Sequence, residues 1–104
     1  MSVVVVAILT PKEGRAPDVL AALAQVSPQV HREEGCELYA AHANEEGLVV
    51  MVERWSSGGA LQTHSAGAAL TRLGELLTDV LAKPIEVHAL HNVPLGDPVK
   101  GTIQ

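Results

Sequence analysis

The chain has 104 residues, of which 47% are hydrophobic and 18% charged, and its formal net charge is −5. That length suits one domain around one core, and that balance excludes intrinsic disorder. Its seven Lys and Arg residues are scattered, so the positive stripe that nucleic-acid binding needs is missing.

The first predicted element is a strand over Val3–Leu9, apolar throughout and too short to span a bilayer. No basic residue precedes it and no small-residue cleavage signal follows, so it is read neither as a leader nor as a membrane anchor. Pro11 and Gly14 end it. A helix follows from about Ala16 to Glu34, with Pro17 suited to its first turn and Val19, Leu20, Leu23, Val26 and Val30 at spacings of three and four. Pro28 cannot donate a backbone hydrogen bond, which predicts a kink or break near Gln25. Gly35 stops the helix.

"CELYAAHA", residues 36–43, is the second strand, and "NEEG", residues 44–47, is a hairpin connection. "LVVMVERW", residues 48–55, is the third strand. "SSGG" then turns the chain into a short helix over about Ala60–His64, and a longer helix is predicted over Ala66–Ala82. Its stripe is Leu70, Leu73, Leu77, Val80 and Leu81. Pro84 ends it, "IEVHALH", residues 85–91, is the last strand, and residues 94–104 read as a tail behind a domain of residues 1–93. The order β-α-β-β-α-β predicts an α+β fold of the ferredoxin-like, split βαββαβ type. An antiparallel sheet would carry both helices on one face, with the first and third strands central.

Val3–Leu9 and Leu48–Val52 do not alternate, so both of their faces want cover. Helices cover one. About six aliphatic side chains remain, each worth roughly 1.5–3 kcal/mol on full burial, which totals on the order of 10 kcal/mol. That is comparable to the stability of a whole domain. The predicted cover is a second copy, sheet against sheet, in a two-fold homodimer.

The densest chemistry lies in "VERWSSGGALQTHSAG". Glu53 and Trp55 are two apart on a strand and share a face with Val49 and Met51. His64 follows within one turn and a short helix. Two readings fit. An acid, an indole and an imidazole around an aliphatic pocket can hold an aromatic substrate and move a proton. Alternatively Glu53 hydrogen-bonds His64 only to pin the short helix, with Trp55 packed beneath.

"REEGCELYAAH" followed by "VVMVERWSSGGALQTHSAGAAL" resembles the antibiotic biosynthesis monooxygenase domain family, over about residues 3–91. The resemblance implies a ferredoxin-like fold that pairs through its sheets into a dimeric α+β barrel. It also implies a monooxygenase, an oxidoreductase that oxidises quinols or other electron-rich aromatic molecules with molecular oxygen and no cofactor. By the same resemblance His64 is the base or hydrogen-bond donor, Glu53 orients it, and Trp55, Tyr39 and Met51 bind substrate. Tyr39 lines the cavity if its face of the second strand looks toward the helices; otherwise it is packing alone. Haem-degrading relatives carry an Asn on the first strand, which "VVVVAIL" lacks. A non-catalytic dimeric binder of a small ligand, and an isomerase or detoxification protein that needs no oxygen, remain alternatives.

No Rossmann or Walker glycine pattern is present. His88 and His91 are three apart on a strand, hence on opposite faces, and His42 lies about 20 Å from Cys36 along an extended strand, so no metal site is expected. Cys36 is the only cysteine, which fits a reducing, cytoplasmic setting. It reads as a small buried hydrophobe.

Overall fold

A computed structural model describes residues 2–103. Positions 1 and 104, the outer ends of the expected domain and tail, lie outside the described residues. The elements run β1 (Val3–Leu9), α1 (Ala16–His31), β2 (Cys36–Ala43), β3 (Val49–Trp55), α2 (Gly58–Ser65), α3 (Ala68–Leu76) and β4 (Glu86–Leu90). The four strands form one antiparallel sheet in the order β2-β3-β1-β4. The two most apolar strands are the central ones, where both neighbours are strands and neither backbone edge meets water. Among the described residues no helix is long and apolar enough to cross a membrane.

The pairing of β1 with β3 sets Val5 opposite Glu53, Ala7 opposite Met51 and Leu9 opposite Val49. These six side chains are all buried. Above them lie Val19, Leu23, Val26 and Val30 of α1 and Ala69 and Leu73 of α3. Alternation sends Val6, Ile8, Val50 and Val52 to the opposite face, where they are only half-buried. Both helical layers therefore sit on one side, and the other side of the sheet presents branched aliphatic side chains.

Helix α1 does not break at Pro28. The proline ring is exposed and sits in the last turn, so only the bond its missing N–H would have made is lost. The helix closes at His31 rather than Glu34, and Gly35, at φ +82°, reverses the chain into β2. The second long helix is much shorter than the expected Ala66–Ala82. It begins after Gly67, which is extended at φ −85° and ψ 168°, and ends at Leu76. Beyond it tertiary pairing claims the backbone: Lys12 N–H donates to the Val80 carbonyl, Ala82 N–H to that of Thr10, and Asp79 turns through φ +63°. Leu77 and Val80 still reach the core from these turns. The tail folds back on itself, because the Asn92 side chain both donates to the Ile103 carbonyl and accepts from the Ile103 N–H.

Candidate active site

Helix α2 is short but well anchored. Ser57 caps it by accepting from the Ala60 N–H at 3.1 Å. Its start packs against the α1–β2 turn so closely that a Cβ on Gly35 would lie 2.5 Å from the Ala60 Cβ. Only glycine suits both that approach and the left-handed backbone there. The close approach brings the end of α1 within reach of His64 on the inner side of α2.

His64 is 5% exposed and held on three sides. Its ring stacks on Trp55, with centroids 4.4 Å apart and planes at 27°. Tyr39 meets it edge-on at 5.8 Å. Its Nδ1 lies 2.6 Å from Glu33 Oε1, a charge-assisted hydrogen bond from the last turn before Gly35. Its Nε2 turns toward Glu53, 3.9 Å from Oε1, which is beyond direct hydrogen-bond range. The carboxylate hydrogen-bonded to the ring is therefore Glu33, and Glu53 makes no direct hydrogen bond to it. Glu53 Oε1 instead accepts the Trp55 Nε1–H at 3.0 Å. Among the described residues no buried side-chain nitrogen or oxygen lacks a partner.

A cavity of about 240 Å³ opens between the sheet and helices α2 and α3. Val5, Ala7 and Leu9 floor it, and Leu61, Leu70 and Leu73 roof it. Tyr39, Met51, Glu53, His64 and Ser65 also border it. Polar groups thus gather at one part of an otherwise aliphatic chamber. On the β4 side Ile85 and Val87 complete the lining, and Val87 is 60% exposed. Trp55 is wholly buried and does not border the cavity. It stands one layer back and supports His64 and Glu53.

Burial governs the electrostatics. Desolvation pushes the Glu53 carboxyl above the usual range; the Trp55 hydrogen bond and His64 pull it down, and the Glu33 charge adds to the rise. Burial also raises the Tyr39 phenol, with further contributions from Glu53 and Glu33. Tyr39 therefore keeps its phenol proton. The Cys36 thiol is raised by burial and by the same glutamates, which disfavours a nucleophilic thiolate.

Glu33 was invisible to strand and helix periodicity, because its contact with His64 spans 31 positions of sequence. The available signal was "REEG", an acidic pair immediately before a helix-ending glycine. Among the described residues no cluster of three or more His, Cys, Asp or Glu side chains is arranged to hold a metal ion. His88 has Glu86 3.6 Å away on exposed β4. A β2 bulge between Cys36 and Leu38 puts Cys36 and His42 on opposite faces of the sheet.

A family model described as antibiotic biosynthesis monooxygenase matches residues 2–75. Among curated proteins no match is found. Among solved structures, a protein of Mycobacterium tuberculosis is 24% identical, with 93% of this chain and 98% of that one covered and a TM-score of 0.80. A protein of Pseudomonas aeruginosa is 21% identical over 89% of this chain and 95% of its own, at 0.80. A Caulobacter crescentus protein, provisionally named an antibiotic biosynthesis monooxygenase, is 22% identical over 89% and 91%, also at 0.80. At these identities the structural likeness concerns the fold.

Proposed function

Because the chain belongs to the antibiotic biosynthesis monooxygenase family, with a monooxygenase-type or small-molecule-binding role, we propose that it is a cofactor-independent monooxygenase that oxidises a quinol or another electron-rich phenol. The observation that carries this reading is a carboxyl and an imidazole bordering one aliphatic cavity, with a phenol hydroxyl beside them. A phenol held there loses its hydroxyl proton to the Glu53–His64 pair. Its anion then supplies electrons to molecular oxygen, a C–O bond forms, and loss of water leaves the quinone. Substrate and oxygen carry the redox chemistry. The protein supplies a proton acceptor, a hydrogen-bond donor in Tyr39 and a dry site.

Pockets for drug-sized ligands run to roughly 300–1,000 Å³. At about 240 Å³ this cavity suits a one- or two-ring substrate, with Met51 and the aliphatic floor against the ring faces. Oxygen uptake measured with a panel of one- and two-ring quinols and phenols tests the reading. Turnover of at least one is expected, and His64→Ala should lower it by about 10²–10⁴-fold. Binding of the same compounds without oxygen uptake would instead make the protein a small-ligand binder.

The working form is a homodimer joined through the open sheet face. Val6, Ile8, Val50 and Val52 are half-buried there in the single chain, and an apolar face of that kind favours a partner. Sedimentation at high dilution should give a dimer, and Val52→Asp should release folded or partly unfolded monomer. A stable, well-folded wild-type monomer under those conditions would remove this part of the proposal. The lone Cys36 thiol suits a cytoplasmic setting.

A further inference from the structure

Glu33 lies outside the cavity lining, yet it makes the short hydrogen bond to His64. We propose that Glu33 is a positioning residue that fixes the Nδ1–H tautomer of His64 and so turns an unprotonated Nε2 toward Glu53 and the cavity. This assignment rests on the oxygenase reading for its purpose, though not for its geometry.

The geometry leaves little choice of tautomer. An ionised carboxylate only accepts hydrogen bonds. With Nδ1 and Glu33 Oε1 2.6 Å apart, a bare Nδ1 would set two lone pairs against each other. With Nδ1–H the contact is a charge-assisted bond. The ring cannot escape by rotating, because Trp55 lies flat against it and Tyr39 abuts its edge. A carboxylate that holds the far nitrogen of a histidine sets which nitrogen can act, and it also supports the positive charge the ring gains.

Two glycines lie near Glu33. Gly35 permits the tight approach of the α1–β2 turn to α2. Gly67, at the start of α3, lies beside the second oxygen, since a Cβ there would be in ordinary contact with Glu33 Oε2 at 3.5 Å. The Glu33 side chain is 21% exposed and the His64 side chain 4%. The contact therefore joins the solvent edge to the buried ring. The titratable groups facing the ring are Glu33 from the α1–β2 turn, Glu53 from β3 and Tyr39 from β2.

The proton steps balance without any redox partner. A substrate hydroxyl gives its proton to His64 Nε2, and the Glu53 carboxylate, 3.9 Å from that nitrogen, stabilises the charge the ring gains. The ring, now an imidazolium, shares its Nδ1 proton with Glu33. Delivery of a proton back into the cavity reverses these steps and restores the starting tautomer.

The test reads the ring directly, by nitrogen-15 NMR of the histidine side chains in the ligand-free protein, with His64→Ala used to assign the His64 signals. The wild-type ring in its neutral form is expected to carry its hydrogen on Nδ1. Glu33→Ala should move it to Nε2, whereas the exposed neighbour control Glu34→Ala should leave it on Nδ1. A wild-type ring protonated on Nε2, or a Glu33→Ala ring unchanged from wild type, overturns the proposal. With a substrate in hand, Glu33→Ala should lower kcat by about 10- to 100-fold with KM unchanged. If the wild-type protein turns over no phenol or quinol, the oxygenase reading fails while the NMR result still decides the role of Glu33.

Discussion

Trp55→Ala is expected to destabilise the protein by about 3–5 kcal/mol, the range for removing a buried Trp or Phe. Trp55 is wholly buried, and nothing aromatic other than His64 and Tyr39 lies near enough to refill its place. The chain contains no Phe, so the surrounding core is aliphatic and would have to collapse around a large void. The substitution also strips Glu53 Oε1 of its 3.0 Å hydrogen bond, and a buried acceptor left without its donor costs about 1–3 kcal/mol. Set against a domain stability of about 5–15 kcal/mol, the combined loss leaves little margin. Urea unfolding should show a lower midpoint at an unchanged slope. Trp55→Phe separates the two effects, since it keeps most of the packing and removes only the N–H. A loss below about 1 kcal/mol for Trp55→Ala would mean that the indole is not the keystone its burial implies.

Glu53→Gln is expected to stabilise the protein progressively as pH rises, while lowering turnover by about 10²–10⁴-fold. Desolvation holds the folded-state pKa of Glu53 above that of the unfolded chain, which is about 4.3. Between those two values the folded chain binds a proton that the unfolded chain does not. Stability therefore falls as pH climbs through that window, and the deficit is complete above the folded value. Gln cannot ionise, and its carbonyl oxygen can still accept the Trp55 N–H. The difference in melting temperature between Glu53→Gln and wild type should thus be smallest well below the unfolded value, where the carboxyl is protonated in both states, and should grow as pH rises until it levels above the folded value. A difference that stays flat across that range would show that Glu53 is not desolvated in the folded protein. Opposite signs for stability and activity in one variant are the mark of a group kept for chemistry rather than for folding.

Much of the architecture could be read from residue patterns because its signals are local. The bounds of β1 and β2 agree with those expected, and α2 starts two residues earlier than expected, at Gly58. The two-sided apolarity of β1 and β3 anticipated their central positions in the sheet. The errors arose where distant backbone overrode a local pattern. Leu77, Val80 and Leu81 keep helical spacing, but residues 80–82 pair with residues 10–12 instead. Pro28 looked like a break, yet an exposed ring in a last turn costs a single hydrogen bond. In the site, Glu53, His64, Tyr39 and Met51 border one cavity; alternation put Glu53 and Met51 on one face but left the face of Tyr39 open. Trp55 backs the site rather than walling the cavity. Glu33 escaped notice because an acidic residue at a helix end is normally solvated, and only the folded chain shows that Gly35 lets its turn approach α2 closely enough to reach the imidazole.

The chain contains a single indole, and it lies face to face with the imidazole at the centre of the site. Nearly all of the intrinsic emission therefore comes from one place, and it responds to the charge on that ring and to any guest lodged beside it. Occupancy of the chamber can be followed by light from the native protein, with no label attached, by exciting the indole beyond the absorption of the single tyrosine.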